Sequence, residues 1–162
     1  MSIVILNGPP GVGKSTTAQL LAKTSNNSVR VHADDIKHWI VKRNAEVTRG
    51  LTYINGGACC RNYAQAGFEL IVFEYVFTKK KHVELFLQHC TLKDQCFLFT
   101  LTAPLTLIKQ RETMRPDRER LGEAVDVAYH EIVANKADLG VFIDTEFLSP
   151  QEVCDAILTQ LP

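Results

Sequence analysis

The sequence has no excess of either charge. Lysine and arginine total 18, aspartate and glutamate total 18, and the formal net charge is zero. Without a global basic field a nucleic-acid backbone has nothing to hold it, and only a local basic patch could do so. No apolar run is long enough to span a bilayer. The start, MSIVILNGPPG, reaches proline and glycine after a short apolar run with no basic beginning, so no secretory signal is expected. The 5 cysteines form no C-x-x-C pair, Cys59 and Cys60 are neighbours that rarely bridge, and the odd count reads as reduced thiols of a cytoplasmic protein. His82, His89 and Cys90 lack the paired spacing of metal ligands. There is no internal repeat, low-complexity tract or linker, so the 162 residues are expected to form a single domain over residues 1–162.

Five short apolar runs read as strands: SIVIL (2–6), VRVH (29–32), FELIVF (68–73), CFLFTL (96–101) and LGVFID (139–144). The first, third and fourth are nearly continuous apolar, which suits strands covered on both faces. Between them lie helical patterns. Lys14 to Lys23 carries Ala18, Leu21 and Ala22 on one face; Asp35 to Arg43 carries Ile36, Trp39 and Ile40; Glu123 to Lys136 carries Val125, Ala128, Tyr129 and Ile132. By this spacing Trp39 belongs to the core and His38 to the surface. SPQE (149–152) is a capping box with proline at the first helical position, opening a helix whose stripe is Val153, Ala156, Ile157 and Leu161. The segment 44–67 is helical but interrupted by Gly56 and Gly57. Alternating strands and helices imply a three-layer α/β domain: a parallel sheet, helices on both faces, and ligands at the carboxyl ends of the strands.

GPPGVGKST, residues 8–16, places Gly8, Gly13, Lys14 and Ser15 in the pattern G-x-x-x-x-G-K-[ST]. Glycines, here Gly8, Gly11 and Gly13, let the backbone curl until successive N–H groups, including those of Val12 and Thr16, point at phosphate oxygens. The following helix adds the positive end of its dipole. Lys14 reaches the β- and γ-phosphates, and the Ser15 hydroxyl completes a magnesium shell. The motif sits between an apolar strand and an amphipathic helix, as the chemistry requires. A second charged stretch, KQRETMRPDRERLG (109–122), follows the fourth strand at the ligand-binding edge. Pro116 breaks it, so its arginines sit at a turn, where they suit a lid over a transferring phosphoryl group.

The ensemble of GPPGVGKST, HADDI, IVFEYVF, RETMRPDRERLG and FIDTEFLSPQEV resembles the small P-loop kinases that include chloramphenicol phosphotransferase, gluconate kinase and shikimate kinase, and the related zeta-toxin kinases. The resemblance implies a P-loop NTPase fold with strand order 2-3-1-4-5, ATP with magnesium as donor, and a small hydroxyl-bearing acceptor. It implies that Asp34 takes the proton of the acceptor hydroxyl, that Arg111 packs by the adenine, and that Arg115 and Arg118 belong to a lid over about 111–122. RPDR is closest to the R-G-D-R lid of the chloramphenicol enzymes, with Pro116 in the glycine's place. Glu74 stands where an acidic residue orients magnesium's water or the acceptor, so magnesium would meet Ser15 directly and Asp34 or Glu74 through water. Asp35 is read as a helix starter at the edge of the acceptor site. Asn62 is a candidate acceptor contact within an acceptor-binding segment of about 34–67, and Thr145 borders the adenine. Arg30, Arg43, Arg49 and Arg61 could meet an anionic acceptor, though each alone reads as a surface charge. The expected partners are ATP and a small molecule, with no nucleic acid and no membrane, in a monomer or homodimer. Alternatives are a nucleoside monophosphate kinase, or a regulatory module that binds ATP without transferring it.

Overall fold

The computed structural model describes residues 1–42, 44–114 and 120–162. Arg43 and the lid residues Arg115, Pro116 and Arg118 lie outside them. Five strands, β1 (Ser2–Asn7), β2 (Ser28–His32), β3 (Leu70–Glu74), β4 (Cys96–Thr102) and β5 (Val141–Asp144), form one parallel sheet of order β2-β3-β1-β4-β5. Parallel neighbours need long crossovers, and helices supply them: α1 (Lys14–Ala22), α2 (Ala33–His38), α3 (Ala45–Gln65), α4 (Lys80–Cys90), α5 (Leu105–Thr113), α6 (Glu123–Ala134) and α7 (Pro150–Leu158).

The central strand β1 shows why its sequence is continuously apolar. Side chains alternate between the two faces of a sheet. Val4 and Leu6 enter one core with Ala18 and Leu21 of α1 and Val153 and Ile157 of α7. Ile3 and Ile5 enter the other, with Tyr53 and Cys60 of α3 and Val83 and Phe86 of α4. A strand with polar alternation would leave one of these layers without a floor. The five cysteines are free thiols, three of them buried. No helix among the described residues is long and apolar enough to cross a membrane.

Several boundaries differ from the sequence expectation. The third strand starts at Leu70 and runs through Glu74, which brings that carboxylate onto the sheet itself. The fifth starts at Val141. α2 ends at His38, well short of Arg43. Its inward face is only Ala33 and Ile36, one turn apart, so the stripe stops before Trp39, which is 69% exposed. Trp39 is therefore not a core residue, while His38 is exposed as expected.

The larger difference is α3, a 21-residue helix that runs straight through Gly56 and Gly57. Each glycine costs a helix interior about 1 kcal/mol relative to alanine, yet here the missing side chains are the contact. A Cβ on Gly57 would strike the Phe86 carbonyl oxygen of α4, and one on Gly56 would lie 2.5 Å from the Phe73 ring of β3. The pair lets α3 approach both neighbours. Gly57→Ala is thus expected to destabilise the protein by about 2 kcal/mol through overpacking, despite alanine's better helix propensity. Urea unfolding measures it, and a stabilised variant would refute the close approach.

Candidate active site

The carboxyl ends of β1, β2 and β3 converge on one side of the sheet, and the loop or helix leaving each strand there supplies one part of the site. After β1 the chain turns through Gly8, Gly11 and Gly13, all at positive φ. Gly13 (φ 110°) is the residue before α1 and no side chain caps that helix. Its first N–H groups are therefore open to an anion rather than closed by a hydroxyl or carboxylate. The Lys14 ammonium folds back over the loop and donates to the carbonyls of Gly8 (2.8 Å) and Pro9 (3.0 Å).

β2 and β3 pair in register, so that His32 lies opposite Glu74. Glu74 is buried, with 1% of its side chain exposed. Arg30 donates from Nε to Glu74 Oε1 at 2.7 Å, with a second guanidinium nitrogen at 2.5 Å. His32 Nδ1 lies 3.3 Å from the same oxygen, and His32 Nε2 lies 3.8 Å from Asp34 Oδ2. The imidazole thus stands between the two carboxylates. Burial pushes the Glu74 pKa up, but the polar groups of His32 and Ser15 beside it and the charges of His32 and Arg30 outweigh burial and hold it down to about 2. The Glu74 carboxylate in turn raises the His32 pKa, against the opposing effect of burial. Glu74 Oε2 is buried with no hydrogen-bond partner among the described residues. A charged oxygen left in that state asks for a cation or a donor from outside the chain.

The depressed Glu74 pKa has a consequence for folding. Its ordinary value is 4.5 and its folded value about 2, so the stabilisation is present above pH 4.5 and fades as pH falls through 2. The gap is worth on the order of 3 kcal/mol. Glu74→Gln is expected to be less stable than the parent by that order at pH 7, with the difference shrinking towards pH 2. Urea titrations at pH 7, 4 and 2.5 measure it, and a gap that stayed constant would refute the assignment.

The loop after β3 is fixed by residues that sequence reading missed. Asn7, at the end of β1, accepts from the Phe77 N–H at 2.8 Å and donates to Thr100 Oγ1 at 3.0 Å. Tyr53 donates its hydroxyl to the Val76 carbonyl at 2.9 Å and stacks on His82, with ring centroids 4.9 Å apart. Just before α6, the Leu121 N–H donates to the buried Glu112 carboxylate at 2.8 Å, tying that segment to α5.

Two hollows flank the phosphate loop. The larger, about 500 Å³, holds Lys14, Ser15, His32, Asp34, Arg49 and Glu74 among its lining residues. The smaller, about 360 Å³, is lined by Gly11, Val12, Gly13, Thr16, Arg111 and Thr145 together with Leu148 and Pro150. Arg111 donates to the Thr145 hydroxyl and carbonyl, each at 3.2 Å, and Thr145 donates to the Thr102 carbonyl at 3.1 Å. This latch joins α5 to the end of β5.

A family model described as an AAA domain matches residues 3–139. The chain belongs to the AAA domain family. No curated protein sequence matches it. Among solved structures, this AAA domain is similar to a tunicamycin resistance protein of Deinococcus radiodurans, at 20% identity over 99% of this chain and 96% of that one, with a TM-score of 0.67. It is similar to a gluconokinase from Sinorhizobium meliloti at 13% identity, covering 98% and 90%, with a TM-score of 0.72. It is also similar to a shikimate kinase from Acinetobacter baumannii in complex with shikimate, at 18% identity, covering 98% and 92%, with a TM-score of 0.67. The resemblance to small P-loop kinases therefore holds for the fold, strand order included.

Within this AAA domain, most sequence-chosen residues gather as two sets. Lys14, Ser15, Asp34 and Glu74 share the larger cavity, and Gly11, Val12, Gly13, Thr16, Arg111 and Thr145 share the smaller groove. Gly8 lies beneath the loop, where a Cβ would strike the Leu101 carbonyl at 2.5 Å. Asp35 sits exposed in the first turn of α2, outside the cavity lining. Asn62 does not join the site: it is exposed in the last turn of α3, which leads to the opposite, amino-terminal edge of β3. Arg118 and Arg115 lie outside the described residues. His32 went unrecognised, and Arg30 was considered only as a contact for an anionic acceptor, although their period-two spacing before the aspartates put both on one face of a strand ending at the site. Among the described residues no cluster of His, Cys, Asp and Glu forms a metal cage.

Proposed function

We propose that this protein is an ATP-dependent kinase that transfers the γ-phosphoryl group to a hydroxyl of a small molecule. One observation carries the reading: Lys14, Ser15, Asp34 and Glu74 open into one cavity, which meets the Arg111–Thr145 groove at Gly11. A nucleotide in that groove, with its phosphates on the loop, would point its last phosphate at the two carboxylates.

In this mechanism the loop N–H groups and Lys14 hold the phosphates and neutralise charge that grows on the transferring group. Asp34 accepts the hydroxyl proton late in a loose transition state. Glu74, kept ionised by Arg30 and His32, lines the same cavity. Ser15 and Glu74 supply the hard oxygen ligands that magnesium prefers, directly or through water. Magnesium, when bound, would shield the phosphate charge. A nucleoside monophosphate acceptor fits less well: Arg30 is committed to Glu74 and Arg61 to the His89 carbonyl, which leaves Arg49 as the arginine lining the cavity among the described residues.

The experiment is a thermal-shift screen of metabolites and antibiotics with a non-hydrolysable ATP analogue present, followed by phosphorus NMR of each hit with magnesium-ATP. A new phosphate ester is expected. ATP binding with no ester from any compound would favour a regulatory module instead.

A further inference from the structure

We propose that the ligand of the larger cavity is an alcohol carried on an apolar body, such as an aryl, alicyclic or acyl-chain compound, rather than a polyhydroxylated sugar derivative. That this ligand is the phosphoryl acceptor rests on the kinase reading above. The cavity is polar at its floor and apolar along one wall. The floor is Asp34 and Glu74 beside Lys14, and the wall is made by Val76, Leu121, Ala124, Val127 and Ala128.

Packing among the described residues does not explain the wall. α6 already has a core face, with Val125 and Ile132 each 1% exposed. The solvent side of such a helix is ordinarily polar. Yet the stripe that faces the cavity is apolar from Leu121 to Ala128 before it ends at Glu131, and Val127 is 59% and Leu121 38% exposed. Tyr53, Tyr75, Thr78 and Glu131 also line the cavity, and two of them are already committed. Tyr53 donates to the Val76 carbonyl at 2.9 Å, and Glu131, at the far end of the stripe, pairs with Lys79 at 2.8 Å. Charge on the remaining walls is confined to the α2–α3 side, at Lys37 and Arg49. A polyol seated here would turn hydroxyls towards Leu121, Ala124, Val127 and Ala128, whose side chains neither accept nor donate, and those hydroxyls would lose their bonds to water. A ligand with a single hydroxyl at the floor and a hydrocarbon body along α6 satisfies both ends.

The test uses the full chain with magnesium-ADP in the donor groove and four probes: 3-phenylpropan-1-ol, cyclohexylmethanol, gluconate and ribose. Dissociation constants come from ligand-observed NMR. The two apolar alcohols are expected to bind at least about tenfold more tightly than the sugars. Val127→Asp and Ala124→Asp, both at exposed positions, are expected to weaken the apolar alcohols by about tenfold, with thermal melts reporting that each variant is folded. Tighter binding of gluconate or ribose, or apolar-alcohol affinity indifferent to both substitutions, overturns the proposal. Phosphorus NMR with magnesium-ATP separates this from the kinase reading. A sugar phosphate with no ester of an apolar alcohol overturns the apolar-ligand proposal and keeps the kinase. Val127-dependent binding of apolar alcohols with no ester from any probe supports the ligand class and overturns the kinase.

Discussion

Asp34→Asn is expected to slow phosphoryl transfer by about 10²–10⁴-fold, the range a positioned general base contributes, while ATP affinity stays nearly unchanged. The asparagine matches the aspartate in shape but cannot take a proton. The half-buried Asp34 lines the larger cavity and is not among the residues that line the Arg111–Thr145 groove. Its ion pairs with His32 and Lys37 are long, at 3.8 and 3.6 Å, so loosening them would not unseat the fold. Single-turnover transfer and calorimetric ATP binding on the same preparation give the two numbers. Full transfer activity in Asp34→Asn would remove Asp34 from the role of base.

Lys14→Ala is expected to lower both ATP affinity and transfer, the latter by about 10²–10³-fold, as loss of one transition-state donor does. The ammonium rests on the Gly8 and Pro9 carbonyls, at 2.8 and 3.0 Å, so it is held above the loop at the place where phosphates would arrive. Exchanging carbonyl partners for phosphate oxygens costs little movement and gains two opposite charges. The split between the two variants is the informative part. Asp34→Asn separates binding from transfer, and Lys14→Ala lowers both together. A Lys14→Ala protein that bound ATP with parental affinity would contradict the assigned role of the loop.

The parts of the structure that rest on local rules were legible in the sequence. Short apolar runs, continuous or alternating, located the strands, and glycine spacing located the phosphate loop, because each depends on a few neighbouring residues. The features that escaped depended on distant partners. Gly56 and Gly57 look like a break in 44–67 until Phe73 and Phe86 are seen against them. Trp39 has helical spacing to Ile36, but α2 ends first. The strand pairing that sets His32 opposite Glu74 is a matter of register, and register is invisible in a single strand. Asn62 failed for the same kind of reason: its position in α3 gave no sign of which edge of the sheet the helix would end on. Glu74 was selected, but the Arg30 and His32 contacts that keep it ionised required the fold.

The two hollows that meet at the phosphate loop have one lining residue in common among those described, Gly11. One is shaped by α5 and the β5–α7 segment, the other by α2, α3, the loop after β3 and α6. Substitutions at Arg49, Val76, Ala124 or Val127 can therefore remodel one chamber without touching the walls of the other. For protein engineers this is a division of labour: under the proposed kinase reading, acceptor range would be retuned by mutagenesis at four scattered positions, while the groove proposed for the nucleotide is inherited intact.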